Sequence, residues 1–89
     1  METVYVYLLE SLKNGQRYIG QTCNLENRMR RHNYGYVRST RNKSPWKLLA
    51  YIETTNRQDS VKTEQKLKQI KNRERVFRYF AKYGYLLPD

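Results

Sequence analysis

The chain has 89 residues and sets 18 Lys and Arg against eight Asp and Glu, a formal charge of +10 at pH 7. That length leaves room for one domain with a modest core, and a single cysteine excludes an intrachain disulfide. No apolar run is long enough to cross a membrane and none reads as a secretory leader, so the cytoplasm is expected. The charge excess points to a polyanion, with nucleic acid ahead of an anionic membrane.

In chain order, Val4-Tyr5-Val6-Tyr7-Leu8-Leu9 alternates as a strand does. Asn14-Gly15 follows, a dipeptide that accepts the positive φ of tight turns, and residues 17–22 return as a second strand. Asn24 is a good N-cap for a helix running to Asn33. Tyr34-Gly35-Tyr36 ends that helix, and residues 36–45 form a basic loop carrying Arg38, Arg41 and Lys43. Pro45 introduces a third strand, Trp46 to Glu53. Asn56, with Asp59 three residues on, starts a second helix bearing Val61, Glu64 and Leu67. Asn72 caps a third helix with Val76, Phe77, Phe80 and Tyr83, closed by Gly84. The expected fold is α+β: a small, three-stranded, largely antiparallel sheet flanked by three helices. One domain over 1–89 is expected, with its core at 4–71 and a C-terminal helix and tail at 72–89.

Simple geometry draws five of these residues together. A two-residue turn at Asn14-Gly15 pairs Lys13 with Gln16 and Ser11 with Tyr18, which puts Tyr7 and Tyr18 on one face. Gly20 then leaves space between them. On the first helix, with Leu25 at zero, Arg28 falls at about −60°, Met29 at about +40° and His32 at about −20°. Leu25 and Met29 must face the sheet, so Arg28 and His32 share that stripe or its edge. Glu64 lies between Val61 and Leu67, a carboxylate in an apolar stripe, where it needs a partner or a metal. Arg28 reads equally well as a structural partner of Glu64, and His32 as a cation at a helix end. Tyr5, Tyr51 and Trp46 read as packing, and Cys23 as a small inert residue at a strand–helix junction. Nine tyrosines among so many cations suit stacking on bases.

Tyr5-Val6-Tyr7, Tyr18-Ile19-Gly20, Arg28, His32 and Glu64 with Leu67-Lys68 together resemble the GIY-YIG nuclease superfamily. The likeness is to its small stand-alone bacterial members, related to the N-terminal nuclease domain of the UvrC excision-repair protein. Arg38-Ser39-Thr40 and Pro45-Trp46-Lys47-Leu48 also resemble those members. The resemblance covers about Val4 to Lys71 and leaves 72–89 outside. Tyr5 stands where the first motif has glycine. Gln21 stands where some family nucleases carry a lysine that helps the site.

The resemblance implies a divalent-metal-dependent endonuclease of low sequence specificity, with DNA as the expected substrate. Glu64 would hold one ion, Mg²⁺ or Mn²⁺, and no small-molecule cofactor is expected. Arg28 would stabilise charge, Tyr7 would act as general base, Tyr18 would orient the water, and His32 would bond phosphate or a tyrosine. An ordinary phenol is only about 0.1% ionised near pH 7, so a tyrosine base needs roughly 4 kcal/mol of preferential stabilisation. Arg38, Arg41, Lys43, Lys68 and Lys71 are the expected nucleic-acid contacts, with Lys62, Lys66, Arg73, Arg75 and Arg78 following phosphates. Two other readings fit the same composition: a basic nucleic-acid-binding module without catalysis, and an RNA-directed nuclease. A protein partner stays open.

Overall fold

A computed structural model describes residues 3–88; the ends of the expected domain, 1–2 and 89, lie outside the described residues. Strands β1 (Val4–Ser11) and β2 (Arg17–Thr22) form the opening hairpin, and β3 (Trp46–Thr54) pairs antiparallel with the other side of β1. A fourth strand, β4 (Tyr85–Leu86), extends the sheet beyond β3, so the order is β2-β1-β3-β4 and the expected three strands become four. Only two residues long, it follows Gly84 directly and shows no alternation to read in the sequence.

The first hairpin turns less tightly than a two-residue loop. Ser11 N–H bonds Gln16 O, Gly15 N–H bonds Ser11 O, and Gly15 takes φ +77°. Leu9 therefore pairs with Tyr18 and Tyr7 with Gly20, two residues away from the expected register. Side chains alternate with period two, so a shift of two keeps Tyr7 and Tyr18 on one face.

Helices α1 (Leu25–Asn33), α2 (Arg57–Gln69) and α3 (Arg73–Tyr83) each begin at an asparagine. Asn24, Asn56 and Asn72 accept from the backbone N–H three residues on, at 3.0, 2.7 and 3.0 Å. Such caps satisfy an orphan helix donor and stabilise by about 1 kcal/mol each. A short 3₁₀ turn, Arg38–Thr40, orders the basic loop before β3.

The sheet carries two cores. One face packs Val6, Leu8, Ala50 and Ile52 against Leu67 of α2 and Val76 and Phe80 of α3. The other packs Tyr7, Leu9, Tyr18 and Trp46 against Leu25 and Met29 of α1. A bulge in β3, where the register slips between Leu8 and Leu9, turns Trp46 and Leu48 onto the α1 face.

Candidate active site

Beneath α1, a polar chain runs through the aromatic core. Tyr7 and His32 are both fully buried, at 0% exposure, and Tyr7 Oη lies 2.9 Å from His32 Nε2. His32 Nδ1 lies 2.7 Å from Thr40 Oγ1, and that hydroxyl donates to Val37 O. A carbonyl can only accept, and a hydroxyl has one hydrogen. The direction of the chain is thereby set: Tyr7 O–H to His32 Nε2, His32 Nδ1–H to Thr40, Thr40 O–H to Val37. Trp46 holds Thr40 from the other side, its Nε1 donating to Thr40 O at 3.1 Å.

Charge follows from burial. Desolvation first, then the Arg28 and Arg31 cations, lower the His32 pKa from 6.5 to about 4, so the ring is neutral. Burial also pushes Tyr7 up from 10.0 to about 12, with the Tyr18 charge adding to the rise. Arg28 opposes the rise both as a charge and as a donor to the phenol, whereas Glu64 adds to it. Arg28 lowers the pKa of the Tyr7 phenol, but in the metal-free chain desolvation outweighs it.

Tyr18 differs from Tyr7. Its ring packs on His32 at 5.3 Å, Tyr7 at 6.3 Å and Trp46 at 6.5 Å. Its hydroxyl makes no hydrogen bond among the described residues. Since no buried side-chain oxygen there lacks a partner, that hydroxyl meets solvent. Gly20 makes this pairing of phenols possible: a Cβ there would stand 2.5 Å from Tyr7 Oη and 2.9 Å from the Tyr18 ring.

Glu64 sits on α2, across the sheet from this cluster, at the edge formed by β2. Its expected flanks are only half right, because Leu67 is 1% exposed while Val61 is 36% exposed and outside the core. Gln21 Nε2 donates to Glu64 Oε1 at 2.8 Å, and Lys68 Nζ reaches Oε2 at 2.6 Å. Gln21 is held in turn, its Oε1 accepting from Arg57 and from Ser60 Oγ. The carboxylate is 18% exposed, and its charge still acts on the Tyr7 phenol around the β2 edge.

The structure thus brings Tyr7, Tyr18 and His32 into ring contact, and the charges of Arg28 and Glu64 both act on the Tyr7 phenol. No group of three His, Cys, Asp or Glu is placed to hold a metal among the described residues. Glu64 suits an ion that takes one carboxylate and keeps its waters, as Mg²⁺ does; two of its lone-pair sites remain once Gln21 and Lys68 are counted.

Arg38 and Arg41 are exposed on the loop that presents Thr40 to His32, and Lys43 is half-buried with its carbonyl accepting from Ser11 Oγ. Exposed Tyr34 and Tyr36 stand beside that loop with rings 6.3 Å apart. Lys68 and Lys71 lie on the α2 side. Sequence reasoning missed Thr40 and Gln21 as partners. A loop threonine gives no periodic signal, but Gln21 shares strand parity with the core residue Ile19 and so was readable as a polar group facing α2.

A family model for the GIY-YIG catalytic domain matches residues 3–79, reaching into α3. The UPF0213 protein BH0048 of Halalkalibacterium halodurans is 29% identical over 72 residues, covering 80% of this chain and 76% of that protein. The solution NMR structure of UPF0213 protein BH0048 from Bacillus halodurans aligns with a TM-score of 0.56 at 26% identity, over 92% of this chain and 86% of the other.

Proposed function

This chain belongs to the GIY-YIG family, and from that premise we propose that it is a divalent-metal-dependent endonuclease acting on DNA with low sequence specificity. The observation that carries the reading is Glu64: a partly exposed carboxylate oriented by Gln21 and Lys68 at the same sheet edge as a solvent-facing tyrosine. A binding module gains nothing from an acid presented among cations, where it repels phosphate. A hydrolase that needs one metal ion does.

When bound at Glu64, one Mg²⁺ or Mn²⁺ ion supplies charge neutralisation for the phosphate and the leaving oxygen. Lys68 has to share or give up its hold on Oε2 for this. Arg28 offers planar donors that never lose their charge to the non-bridging oxygens. Tyr18, whose hydroxyl reaches solvent, would hold the attacking water and, once it has lost its own proton to solvent, accept the water's proton as phenolate. Tyr7 is the less suited of the two, because its oxygen is buried and already committed to His32. We assign Tyr7 and His32 to positioning: through Thr40 they fix the phenol against which Arg28 sets its guanidinium. Arg38 and Arg41, with Tyr34 and Tyr36, are suited to holding the strand on the α1 side by charge and stacking.

Incubation with labelled single-stranded, duplex and flap DNA, and with RNA, each with Mg²⁺ or with chelator, tests this. Metal-dependent cutting of DNA is expected. Tight binding without cutting on every substrate would establish the binding module instead, and cutting confined to RNA would move the activity to that substrate.

A further inference from the structure

On the α2 and α3 side of β2, next to the candidate site, lies a cavity of about 350 Å³. Ile19, Ile70 and Val76 give it an apolar floor, and no Asp or Glu lines it. Arg17, Lys68, Lys71 and Arg73 surround it. The volume is at the lower end of small-ligand sites, enough for one flat ring system with its sugar phosphate and too small for a folded element.

Three of those cations have partners within the fold. Arg17 and Arg73 both reach Glu10, at 3.0 and 3.3 Å, and Lys68 holds Glu64. Lys71 has no hydrogen bond or ion pair among the described residues; it stands exposed between α2 and α3 and lines the cavity. Two features tie the cavity to the candidate site: Tyr18 borders it, and Lys68 joins it to the Glu64 carboxylate.

We infer that this cavity receives one unpaired nucleotide of the strand being cut, its base over the Ile19, Ile70 and Val76 floor and its phosphate at Lys71. The inference rests on the nuclease reading for the identity of the strand, and it adds the substrate class. A base can enter only with its faces unstacked. Extruding one from a duplex costs a few kcal/mol and least where it is already unpaired. The substrate is therefore single-stranded DNA, or duplex with an unpaired nucleotide beside the scissile bond. A phosphate arriving at Lys68 would also relieve Glu64 of its lysine.

The test is an amide NMR titration of the full chain with thymidine monophosphate, deoxyribose 5-phosphate and a short oligothymidylate. Thymidine monophosphate should shift the amides of Ile19, Ile70, Lys71 and Val76 at concentrations at least about tenfold below the sugar phosphate, and the oligomer should produce the same shifts more tightly. Lys71→Ala should weaken both by about tenfold, and Ile70→Trp should fill the cavity and remove the preference for a base. Equal response to sugar phosphate, or an oligomer that leaves these amides unmoved, overturns the inference. Binding is read without cleavage, so the two proposals fail separately. A chain that shows these shifts but never cuts loses the nuclease reading alone. One that cuts fully paired duplex as fast as duplex with an unpaired nucleotide loses the pocket alone.

Discussion

The two faces of this sheet are built by opposite means. Towards α2 and α3 the buried groups are almost all hydrocarbon, from Val6 and Leu8 to Leu67 and Phe80. Towards α1, two fully buried polar rings, Tyr7 and His32, join Thr40 in one hydrogen-bonded chain. A domain of this size is stable by a narrow margin, and buried polar groups add to it only when each is satisfied. The contrast implies that the first face holds the fold together and the second fixes the geometry of a site.

Five changes can break or sharpen that contrast. The largest effect should come from the hydrocarbon face. Phe80→Ala removes a fully buried ring and should cost about 3–5 kcal/mol, enough to leave much of the chain unfolded in a denaturant titration. Acid should strike the other face. The folded pKa of His32, about 4, lies below the ordinary value of 6.5. Across that window the unfolded chain binds more protons, so stability is full above pH 6.5 and falls as the pH drops towards 4, by on the order of 3 kcal/mol. His32 is the sole histidine, so His32→Gln should flatten that part of the pH–stability curve; an unchanged slope would assign it to carboxylates.

Smaller effects separate the two tyrosines. Tyr7→Phe leaves His32 Nε2 buried without its donor and should cost about 1–3 kcal/mol of stability. Tyr18→Phe breaks no hydrogen bond and should stay within about 0.5 kcal/mol, yet reduce cleavage by about 10²–10⁴-fold as the loss of a general base. Should Tyr7→Phe, corrected for unfolding, cut more slowly than Tyr18→Phe, the base is Tyr7 instead. Gln21→Leu should barely move stability but weaken metal affinity by about 10–100-fold, read by titrating Mg²⁺ against cleavage rate.

Where the sequence could be read, periodicity did the work. The period of two kept Tyr7 and Tyr18 together even though the hairpin register was off by two, and the helical period put His32 under α1 beside Leu25 and Met29. Local chemistry marked all three helix starts, because an asparagine cap acts within four residues. What escaped depended on distance along the chain or on size. The bond between His32 and Thr40 joins a helix to an irregular loop, and that between Gln21 and Glu64 spans 43 residues. Strand β4 is too short for a pattern. The direction of the Tyr7 pKa shift depended on burial depth, which no spacing reveals. Val61 shows the reverse error: an apolar residue at core spacing that the third helix does not cover.

The central claim is that Glu64 serves hydrolysis rather than the fold. Single-turnover cleavage of single-stranded DNA in Mg²⁺, wild type against Glu64→Gln with binding matched, tests it most directly. The account predicts a loss on the order of 10²–10³ or more in the variant with its thermal unfolding midpoint nearly unchanged, and no cutting by either protein in chelator. A Glu64→Gln chain that cuts at the wild-type rate would contradict it.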